Sequence, residues 1–305
     1  MSGPVGDEAQ PHVPRGFGTQ TSGPQGRMLP DGRRLHLHHG PIDLVIEADG
    51  DDAEAEAALL QAARRFDGLL EELVAELPLL RAPLDPAAPP PLEGAVARRM
   101  LAATLPFATG FVTPMAAVAG AVADEVLAAM TRGRTLRKAY VNDGGDVALH
   151  VAPGEELVAA LAVGERARNA GSAVVRHGDP TRGIATSGRG GRSLSMGVAE
   201  AVTVLAPNAA LADAAATLIA NAVDLPGHPA VRRGPACDED PDSDLGERLV
   251  TLAVGELPPE DAARALDAGL AVAEGFRARG LIQAAALFLQ DETRVCGPLS
   301  SAEID

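Results

Sequence analysis

The chain has 305 residues, enough for one large domain or two small ones with a substantial core. Its formal net charge of −16 disfavours a phosphate polymer as partner, and with aromatics at only 2% it offers no stacking platform for single-stranded nucleic acid. Two cysteines, Cys237 and Cys296, are too few for a disulfide framework and lack zinc-site spacing.

Residues 1–32 are rich in Gly, Pro, Ser and Gln and read as a flexible N-terminal tail. They lack a basic start followed by an apolar run, so no secretory signal is expected. The apolar windows further on are interrupted by charges or glycine before they reach the roughly 18 to 20 residues of a membrane span. A cytoplasmic protein, with no membrane partner, is the expectation.

Residues 33–50 alternate Leu35, Leu37, Ile42, Leu44 and Ile46 with other residues around Gly40-Pro41, the pattern of two strands. Asp51 opens a long helix with Leu59, Ala63, Phe66, Leu70, Leu73 and Leu77 at steps of three and four. A proline-rich connector over 77–92 and a helix over 92–105 follow. FVTPMAAVAGAVADEVLAAM then reads as a helix with Thr113 as N-cap and Pro114 in the first turn. Its alanine- and glycine-rich faces suit close packing, including across a homodimer.

Asp143-Gly144-Gly145, set between apolar runs, predicts a hairpin. Residues 156–177 are compatible with helix or buried strand in their first part and with strand in GSAVVRHG. Residues 183–223 then join a hydroxyl-rich turn, the apolar strand VTVLA and a small-residue helix. That helix carries Asp213 and Thr217 four residues apart, hence on one face. One carboxylate and one hydroxyl so stacked suit a hard cation such as Mg²⁺, which completes its shell with waters and phosphate oxygens. Residues 226–247 are an acidic loop, ERLVTLAVGEL (247–257) a strand, 258–279 an amphipathic helix, LIQAAALFL the last strand, and 291–305 a C-terminal tail. The mixture predicts one α+β domain over 33–290, helices layered on a mostly antiparallel or mixed sheet.

Other residues have chemistry to offer. Thr186-Ser187-Gly188 runs into Arg189, Gly190, Gly191 and Arg192, where glycines admit a phosphate and arginines add charge, or where a solvated turn suffices. His36 and His38 share a strand face, beside His39, without a carboxylate placed to complete a metal set. His150, His177 and His228 are candidate general bases. Arg137 and Lys138 face either a phosphate or solvent.

Three blocks in order resemble the ApbE-like superfamily, the FAD:protein FMN transferases. The family's A-K-G-x-x-x-D helix and Y-x-V-N-x-G-G-D turn appear as AVAGAVADEVLAAM and AYVNDGGDVALH. Its A-T-S-G stands at Ala185 to Gly188. Its V-T-V strand and A-D-x-x-x-T helix stand at Val202-Thr203-Val204 and Ala212-Asp213 to Thr217. The wording is most similar to a functionally uncharacterised branch. The resemblance implies a T-fold-like architecture, FAD or a related nucleotide as ligand, Mg²⁺, and transfer of FMN to a threonine with release of AMP. It implies that Asp213 and Thr217 ligate the metal and that Asn142, Gly144, Gly145, Asp146, Thr186, Ser187 and Gly188 line the flavin or nucleotide site. The chain departs from the family where the lysine is Ala119, where the following tyrosine is Ala121, and where the histidine loop is shortened to RGGRSLSMGVAEA. Three functions follow as expectations: a Mg²⁺-dependent flavin- or nucleotide-handling enzyme, a non-catalytic ligand-binding or assembly protein, and a homocysteine-forming sulfur-assimilation enzyme on the same scaffold.

Overall fold

The structure, a computed structural model, describes residues 23–163, 168–191 and 193–299. Its strands are β1 (Gln25–Met28), β2 (Arg34–His39), β3 (Ile42–Gly50), β4 (Leu136–Asp143), β5 (Asp146–Val151), β6 (Glu156–Val163), β7 (Arg168–Arg176), β8 (Gly183–Ser187), β9 (Ala201–Ala206), β10 (Val231–Pro235), β11 (Leu249–Val254), β12 (Ala284–Leu289) and β13 (Glu292–Cys296). Its helices are α1 (Asp52–Phe66), α2 (Leu69–Ala75), α3 (Leu77–Leu80), α4 (Ala95–Thr104), α5 (Val118–Thr131), α6 (Ala209–Ala222), α7 (Ala236–Glu239) and α8 (Pro259–Ala278).

Nine strands form one sheet in the order β1-β2-β3-β4-β5-β8-β9-β12-β13. Every pairing in it is antiparallel. The chain follows the same course twice: a strand pair, helices, then a second strand pair. The first pass is β2–β3, α1 to α5 and β4–β5; the second is β8–β9, α6 to α8 and β12–β13. The α+β expectation therefore holds, with the sheet wholly antiparallel.

Alternation along the strands gives the sheet two apolar faces. Leu44, Ile46, Val141, Ala148, Val202, Val204 and Leu287 face the helices, where they join Phe66, Met100, Met130, Ile219 and Leu266 in the main core. Leu149, Val151, Ile184, Leu205 and Ala284 face the other way and are covered by Ala173 and Val175 of the separate β6–β7 ribbon. In the helix layer α5 and α6 are built almost entirely of small residues, so their backbones approach closely. A Cβ on Gly120 would lie 2.3 Å from the carbonyl oxygen of Ala209.

Several expectations are corrected. The N-terminal tail does not extend to residue 32, because Gln25–Met28 pairs with β2; residues 1–22 of that expected tail lie outside the described residues. The long helix from Asp51 breaks at Gly68, whose φ of 76° ends one helix and starts the next. The 226–247 loop contains β10 and α7, and the 291–305 tail contains β13, which pairs with β12. Residues 156–163 are strand. Thr113 does not cap its helix; its hydroxyl donates to Asp244, and Pro114–Ala117 forms a 3-10 turn before α5. Pro114–Thr131 is, contrary to the span expectation, long and apolar enough by length and composition to cross a membrane. Here it packs against α1, α4, α6 and the sheet, and its Glu125 is paired with Arg65 and Arg99 at 2.8 and 2.9 Å. The small-residue faces expected to suit close packing do pack closely within the chain. Both cysteines are free.

Candidate functional site

The Asp143-Gly144-Gly145-Asp146 turn forms as expected. Gly144 and Gly145 have φ of 63° and 118°, which a two-residue hairpin turn demands and other residues resist. Asn142 is consumed in holding this turn, because its side-chain oxygen accepts the Gly145 N–H at 2.8 Å. The two flanking acids point under the helices and are buried, Asp143 at 4% and Asp146 at 9% exposure. Asp143 accepts the main-chain N–H of Asp43 at 3.4 Å, and Asp146 accepts that of Thr186 at 3.2 Å. The hairpin is thereby tied to the T-S-G segment.

That segment is the end of β8 rather than a turn, and alternation splits it. Thr186 lies opposite Thr203 on β9, their hydroxyls 2.8 Å apart. Ser187 faces the helix layer, where its Oγ accepts from Thr217 Oγ1 at 3.3 Å. Gly188 follows with φ of 132°. Asp213, one helical turn before Thr217, is 9% exposed, and its Oδ2 accepts the Gly120 N–H at 3.1 Å. The structure therefore brings together α6, the strand end carrying Ser187 and the hairpin carrying Asp146.

The electrostatics are unusual. Burial pushes the Asp213 carboxyl up to about 7, and the nearby Asp143 and Asp124 push in the same direction; the N–H groups of Gly120 and Ala119 pull against them. Asp124 on α5, raised by burial, accepts the N–H groups of Ala209 and Ala210 at 3.1 and 2.9 Å. Asp124 and Asp143 were not among the expected site residues. The G-G-D turn and the acid of the A-x-G-x-x-x-D helix were the available signals.

A divalent cation fits this chemistry. Asp213 is a buried carboxylate with acidic neighbours, and it is held only by main-chain N–H groups, so a cation would restore its ionised form. Among the described residues no group of three or more His, Cys, Asp or Glu side chains is placed to hold a metal. An ion at Asp213 and Thr217 would thus draw the rest of its shell from main-chain carbonyls, water and ligand oxygens, which suits Mg²⁺ better than a transition metal.

The amides of the glycine turn after Ser187 are not free to cradle a phosphate. Its amides are spent within the protein: Arg189 N–H on Ala199 O, Gly190 N–H on Glu200 O and Gly191 N–H on Gly188 O, at 2.8, 2.9 and 3.1 Å. Arg192 lies outside the described residues. The histidines are engaged elsewhere. Asp43 supplies the carboxylate missing from the His36–His38 face, as a bridge at 3.1 and 3.4 Å rather than a metal set. His39 is buried against Phe66. His150 and His177 meet the carbonyls of Leu136 and Val151, and His228 meets Asp261. Arg137 and Lys138 pair with Asp49 and Glu155. A surface cleft of about 370 Å³, lined by Pro153–Glu156 and Arg176–Gly178, includes the candidate base His177 but none of the residues gathered around Asp213 and Ser187.

Among curated relatives, a UPF0280 protein of Methanopyrus kandleri is 38% identical over 185 residues, covering 59% of this chain and 69% of its own. Those of Methanothrix thermoacetophila and Methanosarcina acetivorans are 36% and 32% identical, covering 62% and 60% of this chain and 76% and 70% of theirs. The apo crystal structure of Pseudomonas stutzeri flavinyl transferase ApbE aligns over 90% of this chain and 93% of its own, with 16% identity and a TM-score of 0.34, too loose a superposition to carry residues across. The family model described as AbpE bacteria matches residues 26–295. The chain belongs to that bacterial AbpE family, as its three motif blocks led us to expect.

Proposed function

We propose that this protein binds a small phosphorylated ligand, FAD or a related nucleotide, together with Mg²⁺ at Asp213 and Thr217. One observation carries the proposal: the buried Asp213 carboxylate, with no cationic side chain paired to it among the described residues and pressed by Asp143 and Asp124, stands a helical turn from a hydroxyl that reaches Ser187 across the layer. Asp213 and Thr217 would hold the ion, and Asp146 and Ser187 would border the ligand. When bound, Mg²⁺ would neutralise phosphate charge that the acidic surroundings otherwise repel.

The test is thermal unfolding with FAD, ADP or AMP, each with and without Mg²⁺. The expected result is a rise in Tm only when nucleotide and metal are both present. A flat response across the panel in the presence of metal overturns the proposal.

A second reading, ligand binding without turnover, is favoured by one specific feature. Ala119 stands where the resembling transferases have lysine, and the segment that would carry their histidine is occupied by main-chain bonds to residues 199 and 200. Mass spectrometry of bound FAD separates the two: an unchanged ligand supports binding alone, and AMP release supports transfer. A thiol-dependent, homocysteine-forming reaction would need a cysteine at work. Cys296 is buried with its thiol pushed up by burial, and Cys237 lies against Asp238. Activity that survives replacement of both by serine removes that alternative.

A further inference from the structure

We propose that Arg189 is the specificity residue of this site and binds a phosphate group of the ligand through its guanidinium. The inference rests on the function proposed above and adds which chain group reads the anion.

Ser187 marks the ligand-facing end of β8, and Arg189 follows two residues later. Its position is fixed by the turn. Gly188 has φ of 132°, and a Cβ there would lie 2.8 and 3.1 Å from the carbonyl oxygens of Glu200 and Ala199. Only glycine lets the chain pass, and the 189 and 190 amides then lock onto those same two carbonyls. The backbone beneath the side chain is therefore rigid, as a recognition group requires.

The guanidinium is underused. Its Nε is enclosed without a hydrogen-bond partner, and its NH2 stands 3.9 Å from Glu200, a loose ion pair. Arginine can donate five hydrogen bonds in a fork that matches phosphate oxygens. Leaving such a donor unmet inside a protein is costly unless a ligand completes it. Among the described residues, the main-chain donors around the site are taken. The amides of residues 189 to 191 are occupied, Asp124 takes the first amides of α6, and Asp213 takes the Gly120 amide of α5. With Asp143, Asp146 and Asp213 buried at the proposed site, an anionic ligand needs a fixed positive charge besides the metal.

The experiment is titration of the full chain with ADP in Mg²⁺, for wild type, Arg189→Ala and Arg189→Lys, at low and high ionic strength. Arg189→Ala is expected to weaken ADP at least about tenfold and to flatten the salt dependence of binding. Arg189→Lys is expected to keep the salt dependence and to bind between the two, because charge remains while the fork is lost. Should Arg189→Ala fail to fold, Arg189→Gln takes its place. ADP affinity within about twofold of wild type, or an unchanged salt dependence, overturns the assignment of Arg189 while leaving the metal–nucleotide site standing. Failure of wild type itself to bind any nucleotide with Mg²⁺ overturns the site as a whole.

Discussion

Asp124 and Asp213 cap each other's helices. Asp124, on α5, accepts the first two main-chain N–H groups of α6, and Asp213, on α6, accepts an N–H from the start of α5. Each carboxylate meets the positive end of the partner helix. Replacing Asp124 with alanine strands two enclosed amides, so a loss of about 2–4 kcal/mol is expected, read as a lower urea midpoint at unchanged slope. Asp124→Asn, which keeps one acceptor, should recover part of it.

Asp213 makes stability depend on pH. In the folded chain its carboxyl holds a proton up to about 7, against an ordinary value of 3.8. Between those values the folded state binds more protons than the unfolded state, so this group's contribution falls as pH rises from about 4 to 7, by at most about 1.4 kcal/mol per unit, and is level above. Asp213→Asn should flatten that slope and be the more stable ligand-free form at pH 8. Urea unfolding at pH 5 and pH 8 checks both. If Mg²⁺ binds there, it prefers the ionised acid and should lose affinity below pH 7 in the wild type.

Thr217→Val keeps volume and removes the hydroxyl. The bond to Ser187 is long, at 3.3 Å, so the variant should fold with a loss of about 1 kcal/mol or less. The nucleotide-plus-Mg²⁺ rise in Tm should disappear. Survival of that rise would remove Thr217 from the ion's shell.

Close backbone approach makes two glycines irreplaceable. A Cβ on Gly183 would lie 2.1 Å from the main-chain carbon of Asn208, and one on Gly120 would lie 2.3 Å from Ala209 O. Alanine at either should cost about 3 kcal/mol or more, because backbone rather than a rotatable side chain is in the way. Gly178→Ala, with nothing within 4 Å, is the control and should fall within about 1 kcal/mol of wild type. Thermal unfolding of the three variants decides.

What could be seen in the chain beforehand was what local rules govern. The Gly144-Gly145 turn follows from two successive positive φ angles, and the stacking of Asp213 over Thr217 follows from helical spacing. The short strands were invisible because their pairing comes from distant partners: Gln25–Met28 is exposed throughout and shows no apolar alternation, and Glu292–Cys296 was hidden among tail-like residues. Strand alternation would have placed Thr186 and Ser187 on opposite faces had the T-S-G segment been taken as strand rather than turn. The motif helix marks Asp124 as an acid to watch, but its role as a cap was not readable, since its partners lie 85 and 86 residues away. The occupied amides of the glycine turn were likewise out of reach, because they answer to Ala199 and Glu200.

The two passes of the chain meet where β5 joins β8, and the ladder there is short: Val147 pairs with Ile184 and Ala148 with Gly183, with the Leu149 N–H on Arg182 O and the Thr186 N–H on Asp146 at its two ends. This seam is the sparse line of an otherwise well-laced sheet, and α5 and α6 sit over it, one from each half. The acids those helices exchange act as its buckle. Occupancy at Asp213 would then register as mechanics: amides along β5 and β8 should exchange with solvent more slowly once the two halves are clasped.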